Sequence, residues 1–171
     1  PMFATRYFYL RGGREPFDQR SVRRALALLI PWEELRSSDF HYIPATTLVP
    51  PIPHYPEVEG ITEQNVEEAL KLLEEAGYPE GKGLPPVVIK VAGPVQQARE
   101  ARLIRDAIEE HLEAEAPIDS VAYDEYYDAL DEDEYVIGSL SWIGDFADPL
   151  TFLQMWTSES NLNDARYANA E

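Results

Sequence analysis

The 171-residue chain contains no cysteine. That excludes disulfides, thiolate metal sites and a cysteine nucleophile. Positive charge is scarce: 14 Lys and Arg stand against 32 Asp and Glu, a formal net charge of -18. Nucleic acids and anionic membrane surfaces are held by clustered Lys and Arg, so this balance argues against both as partners. It favours cationic or zwitterionic partners, but weakly, since most of these charges read as solvated surface. No apolar run approaches the length of a membrane span. No stretch has the layout of a secretory signal, and there is no internal repeat or low-complexity linker. No cofactor is called for. His41 and His54 are separated by a proline-rich loop with no third ligand at metal-like spacing, so a rigid connection is the expected reading there.

What is present suffices for one domain-sized core, with 44% hydrophobic residues. Arg6 to Leu10 reads as an aromatic strand. Val22, Ala25, Leu26 and Leu29 recur at helical spacing after Asp18, a plausible N-cap. Pro31 opens a second short helix. Thr62 is expected to cap the next helix, with Ile61 and Val66 as a hydrophobic staple and Gly77 as its C-cap. Val87 to Val91 is a strand, Val95 to Ala114 a long helix with one charged face, Ile118 to Ala122 a strand, and Tyr123 to Leu130 a short helix. The alternation of strands and helices predicts an α/β domain, a mixed sheet flanked by helices.

Tyr135 to Trp156 is the stretch around which the chain is organised. Tyr135 to Trp142 reads as a buried strand. Gly144 lets it turn, and Asp148 with Pro149 starts a helix whose apolar face is Leu150, Phe152, Leu153 and Trp156. Asp145 and Trp142 therefore stand where a strand ends and a helix begins, a common ligand position in α/β proteins. Asp145 is a candidate contact for a cation, with Trp142 beside it. The plainer reading is a turn carboxylate and a core indole. A hydrolase using Asp145 and Asp148 as paired carboxylates is the enzymatic alternative. Their spacing suits a turn and a cap better, and no Ser–His–Asp order is convincing.

Five stretches occur together in the order of a known family. They are RYFYLRGGREPFDQRSVRRALAL, ALKLLEEAGYPEGKG, SVAYDEYYDAL, WIGDFADPLTFL and NLNDARYANAE. The chain resembles the bacterial extracellular solute-binding proteins of family 5, the oligopeptide-, dipeptide- and nickel-binding components of ABC importers. The resemblance runs from about Arg6 to Glu171. It implies that residues 1–171 form one α/β lobe of a type II periplasmic-binding-protein fold, the C-terminal lobe of a longer chain whose opposing lobe is absent, with both ends cut. It implies a peptide or similar small solute as ligand, an ABC permease as membrane partner and a periplasmic or cell-surface location, lipid-anchored in some relatives. Non-peptide cargo such as nickel is the alternative within the family. By the same resemblance Asp145 would hold a peptide's α-ammonium group, with Trp142 packing on the ligand and Tyr126 nearby. Tyr123 and Tyr127 are expected to be packing residues. Gly138-Ser139-Leu140 stands where some relatives carry an arginine for the peptide carboxylate.

Overall fold

The computed structural model describes residues 2–37, 43–53, 55–56, 58, 60–95, 98–132 and 134–168. The strands are β1 (Ala4–Leu10), β2 (Ile89–Ala92), β3 (Ile118–Val121) and β4 (Ile137–Ile143). The helices are α1 (Arg20–Leu29), α2 (Trp32–Arg36), α3 (Val66–Glu75), α4 (Arg99–His111), α5 (Tyr126–Ala129) and α6 (Leu150–Leu153). The strands make one mixed sheet in the order β1-β4-β2-β3. β1 runs antiparallel to β4, while β2 is parallel to both β3 and β4. The histidines His41 and His54 lie outside the described residues.

Period-two alternation divides the strands between two cores. Phe8 and Leu10 of β1 and Ile89 and Val91 of β2 face α1, α3 and α4 in the larger core. Tyr7 and Tyr9 of β1, Val88 and Ala92 around β2, and Leu140 of β4 face the smaller one with Tyr126, Tyr135 and Trp156. In α1, Val22, Ala25, Leu26, Leu28 and Leu29 are all buried. Each such leucine contributes about 1.5–3 kcal/mol by leaving water.

Two helix starts differ from the sequence reading. The third helix begins at Val66, and its cap is Asn65, not Thr62. Asn65 Oδ1 accepts the Glu68 N–H at 3.0 Å. The reason lies in α1, whose last carbonyls lack helical partners. The Asn65 N–H donates to Leu28 O at 2.8 Å and Gln64 Nε2 to Leu29 O at 2.7 Å. That task holds the segment after Thr62 out of helical conformation. Asp18 does not cap α1 either. Its N-cap position is Gln19, with no side-chain bond. Arg23 instead donates to the carbonyls of Phe17 and Asp18, both at 2.7 Å. The long helix is also shorter than predicted, Arg99 to His111.

The end of α3 follows the sequence reading. Gly77 has φ +91. Its N–H donates to Glu74 O at 3.0 Å, and the Tyr78 N–H donates to Leu73 O at 2.8 Å. That pair of bonds is a Schellman cap, which needs the left-handed conformation glycine adopts without strain.

Candidate functional site

The site is built on the free part of β4. β4 enters the sheet between β1 and β2, where the Ile137 N–H donates to Val88 O at 3.0 Å. Its entry is tight: a Cβ on Gly138 would run into the Tyr9 ring. β2 pairs with β4 only at Ile89–Ile137, whereas β1 follows β4 to its end, Ala4 opposite Ile143. Beyond Ile137, β4 is thus paired on one side.

Ser139 shows which backbone groups face the unpaired side. Its N–H donates to the Tyr126 hydroxyl at 3.1 Å, and its carbonyl accepts from that hydroxyl at 2.8 Å. Both groups of Ser139 therefore point away from β1. In an antiparallel pair this direction repeats every second residue. The N–H and C=O groups of Ser141 and Ile143 consequently point the same way, onto a strand edge that no other strand pairs among the described residues. Both residues are exposed. The Gly144 N–H, of the other parity, donates to Phe3 O at 2.8 Å.

That edge leads directly to Asp145. Its carboxylate is exposed, and no described basic side chain pairs with it. Its N–H donates to Thr151 Oγ1 at 3.0 Å, which ties the turn to α6. Asp148 Oδ1 accepts the Leu150 N–H at 2.8 Å, the turn-and-cap use that its position suggested. Trp142 is half-buried, and its indole N–H is buried with no acceptor among the described residues. Around these residues Ile143, Phe146, Leu150 and Leu153 are exposed apolar side chains. No Lys or Arg lies between Arg105 and Arg166, while Asp and Glu recur through that stretch.

Tyr126 sits in the core, 4% exposed, with its hydroxyl engaged by backbone. Burial pushes its pKa up to about 12, against the opposing effect of its bond to Ser139. The tyrosines expected to pack are the exposed ones, Tyr123 at 65% and Tyr127 at 71%. α5 is only four residues long, and Tyr127 follows the inward-facing Tyr126 by about 100° of helical rotation, which turns it outward. Sequence reasoning singled out Asp145, Trp142 and Tyr126 but not Ser141 or Ile143. The alternation of Ser139, Leu140, Ser141 and Trp142 was the available signal.

A groove of about 1340 Å³ lies elsewhere, along the outer edge of β1. Arg20, Arg23, Arg24 and Arg36 line it, and neither Trp142 nor Asp145 does. β1 separates it from β4.

The chain is thus an α/β unit in which the β4 edge runs to the exposed Asp145 carboxylate. The sequence matches the family described as bacterial extracellular solute-binding proteins, family 5 Middle, over residues 1–164, and the chain belongs to that family. It is 25% identical over its whole length to the oligopeptide-binding protein OppA of Bacillus subtilis, of which it covers 33%. It is 22% identical over 96% of its length to the dipeptide-binding protein DppE of the same organism, covering 32%. Among solved structures, a periplasmic oligopeptide-binding protein of Borrelia burgdorferi superposes with a TM-score of 0.83 at 27% identity, covering 99% of this chain and 35% of that one. The Escherichia coli murein tripeptide binding protein MppA gives 0.85 at 20% identity, with 99% and 35% covered, a likeness of fold. The chain thus spans about a third of the length of these relatives. The mixed sheet with flanking helices is the type II binding-protein fold that the sequence motifs implied.

Proposed function

We propose that residues 1–171 are one lobe of a two-lobed peptide-binding protein that serves an ABC importer. The observation that carries this reading is the bare β4 edge at Ser141 and Ile143, ending at the Asp145 carboxylate. A peptide is an extended strand with an ammonium at one end. Laid on this edge it gains main-chain hydrogen bonds without any side chain being read. Its α-ammonium meets Asp145, a charge-assisted bond of roughly 1.5–3 kcal/mol. Trp142 and the apolar side chains of Phe146 and Leu150 exclude water around that pair, which strengthens it. The names of the relatives, oligopeptide-, dipeptide- and murein-tripeptide-binding, support peptide as the solute class.

The role is capture, not catalysis. Asp148, the second carboxylate a hydrolase would need, is engaged at the start of α6. The opposing lobe supplies the other half of the contacts, and ligand bridging both lobes shifts them toward the closed state that a membrane permease reads. The protein acts outside the cytoplasmic membrane, in the periplasm or at the cell surface.

Titration of the 171-residue chain with trialanine, followed by amide NMR, tests this. The Ser141, Ile143 and Asp145 amides should shift, with a dissociation constant weaker than micromolar because half the contacts are absent. Acetylated trialanine should bind more weakly still. Micromolar or tighter binding by the lobe alone, already about -8 kcal/mol, would refute the two-lobe account. Shifts confined to the β1 groove would refute the site.

A further inference from the structure

The Tyr126 hydroxyl touches two strands at once. It lies 3.3 Å from Lys90 O on β2, 2.8 Å from Ser139 O and 3.1 Å from Ser139 N on β4. β2 and β4 are parallel with Ile89 opposite Ile137, and the first ladder bond, Ile137 N–H to Val88 O, is made at 3.0 Å. In a parallel ladder of that register the next bonds would be Ser139 N–H to Lys90 O and Ala92 N–H to Ser139 O. Neither forms. The hydroxyl stands in their place, accepting the Ser139 N–H and returning its own proton to Ser139 O, with Lys90 O alongside.

We propose that Tyr126 is a positioning residue for the peptide edge. Its hydroxyl, inserted between β2 and β4, stops the two strands from zipping further and so keeps Ser141 and Ile143 open to an incoming strand. This rests on the peptide-edge reading above.

The ring is well placed for that task. It is buried, so a ligand does not displace it. The helix that carries it is held from beneath. Lys90 Nζ donates to Ala129 O at 3.2 Å and Arg11 to Leu130 O at 3.1 Å, both at the end of α5. Glu132 closes on Lys90 at 2.6 Å. The hydroxyl also satisfies Ser139, whose backbone groups would otherwise be left without partners, a state a closing ladder relieves. Removal of the oxygen therefore favours the zipped arrangement, which draws Ala92 onto the edge beside Ser141.

The test compares the native chain, Tyr126→Phe and Tyr126→Phe/Ala92→Pro, with trialanine as the probe. Ala92 shares the parity of Lys90 and so faces β4, because the Gly93 N–H between-strand bond goes to Val121 on β3. Proline there removes the one N–H that the second zipping bond needs. In Tyr126→Phe we expect a through-hydrogen-bond NMR coupling from Ser139 N to the Lys90 carbonyl, slowed exchange of the Ala92 amide, and trialanine affinity down about tenfold. The double variant should recover most of that affinity, which a merely structural loss would not allow. A Ser139–Lys90 coupling in the native chain, unchanged affinity in Tyr126→Phe, or a fall in affinity without zipping overturns the proposal. Should Tyr126→Phe not fold, Ala92→Pro alone decides. The edge is already open there, so affinity should stay within about twofold, and a tenfold fall overturns the role. Absence of any trialanine response at Ser141 and Ile143 in the native chain refutes the peptide edge itself, and the role of Tyr126 with it. That failure is recognisable because the coupling pattern needs no ligand.

Discussion

The phenol oxygens of Tyr9 and Tyr135 lie 2.8 Å apart in the smaller core, joining β1 to the approach of β4. Tyr135 also donates to Leu130 O at 3.2 Å, so Tyr9 is the donor of the pair. Cations flank the Tyr135 ring, with Arg11 at 4.7 Å and Lys90 at 5.3 Å from its centre. Tyr135 stands two residues before β4, so the pair ties the approach of that strand to β1.

Burial raises the pKa of Tyr9, helped by the neighbouring Tyr135 phenol. It raises that of Tyr135 as well, with Tyr9 and Arg11 acting against it. Tyr126 rises to about 12. The folded state thus keeps protons that the unfolded chain releases near pH 10. Stability should be intact below about pH 10 and fall above it, by about 1.4 kcal/mol per pH unit for each tyrosine so held. Urea melts between about pH 8 and 12 measure this, and Tyr9→Phe should flatten the slope. Stability that stays level while absorbance reports full phenol ionisation would count against the buried pair.

Asp145→Asn should leave the fold intact, because its backbone N–H, not its carboxylate, ties the turn to Thr151. In the two-lobed parent, free-amino peptides should lose more than a hundredfold in affinity, since stranding one partner of a buried charge pair costs about 3–5 kcal/mol. Acetylated peptides should lose little more in the mutant than in the native protein. An unchanged ratio between the two peptides would leave Asp145 a turn residue only.

Gly77→Ala should cost about 1 kcal/mol. Nothing lies within 4 Å of the added Cβ, so the cost is conformational rather than steric. A melting temperature equal to that of the native chain would contradict the left-handed cap.

Asn65→Ala should destabilise by about 1 kcal/mol, the usual loss of an N-cap, whereas Thr62→Ala should change stability by less than about 0.5 kcal/mol, as an exposed residue with no cap. Chemical denaturation of both variants compares the two positions. Equal losses would restore Thr62 as the cap.

Local chemistry determined a good deal here. The apolar periodicity of α1 and α3, the left-handed Gly77, and the strand–turn–helix passage through Asp145 all depend on interactions within a few residues, which a sequence carries directly. The same holds for the exposure of Asp145 in an acidic stretch without a lysine or arginine. Other features were decided only by tertiary structure. Thr62 and Asn65 are both good caps, and the choice fell to Asn65 because the carbonyls of Leu28 and Leu29, more than thirty residues away, needed donors. Among three tyrosines at 123, 126 and 127, the shortness of α5 settled which one turns inward. The bare edge at Ser141 and Ile143 exists because β2 stops pairing after Ile137, and that depends on where a hydroxyl from α5 lands between two strands. Such long-range placements leave no periodic mark on the residues they govern.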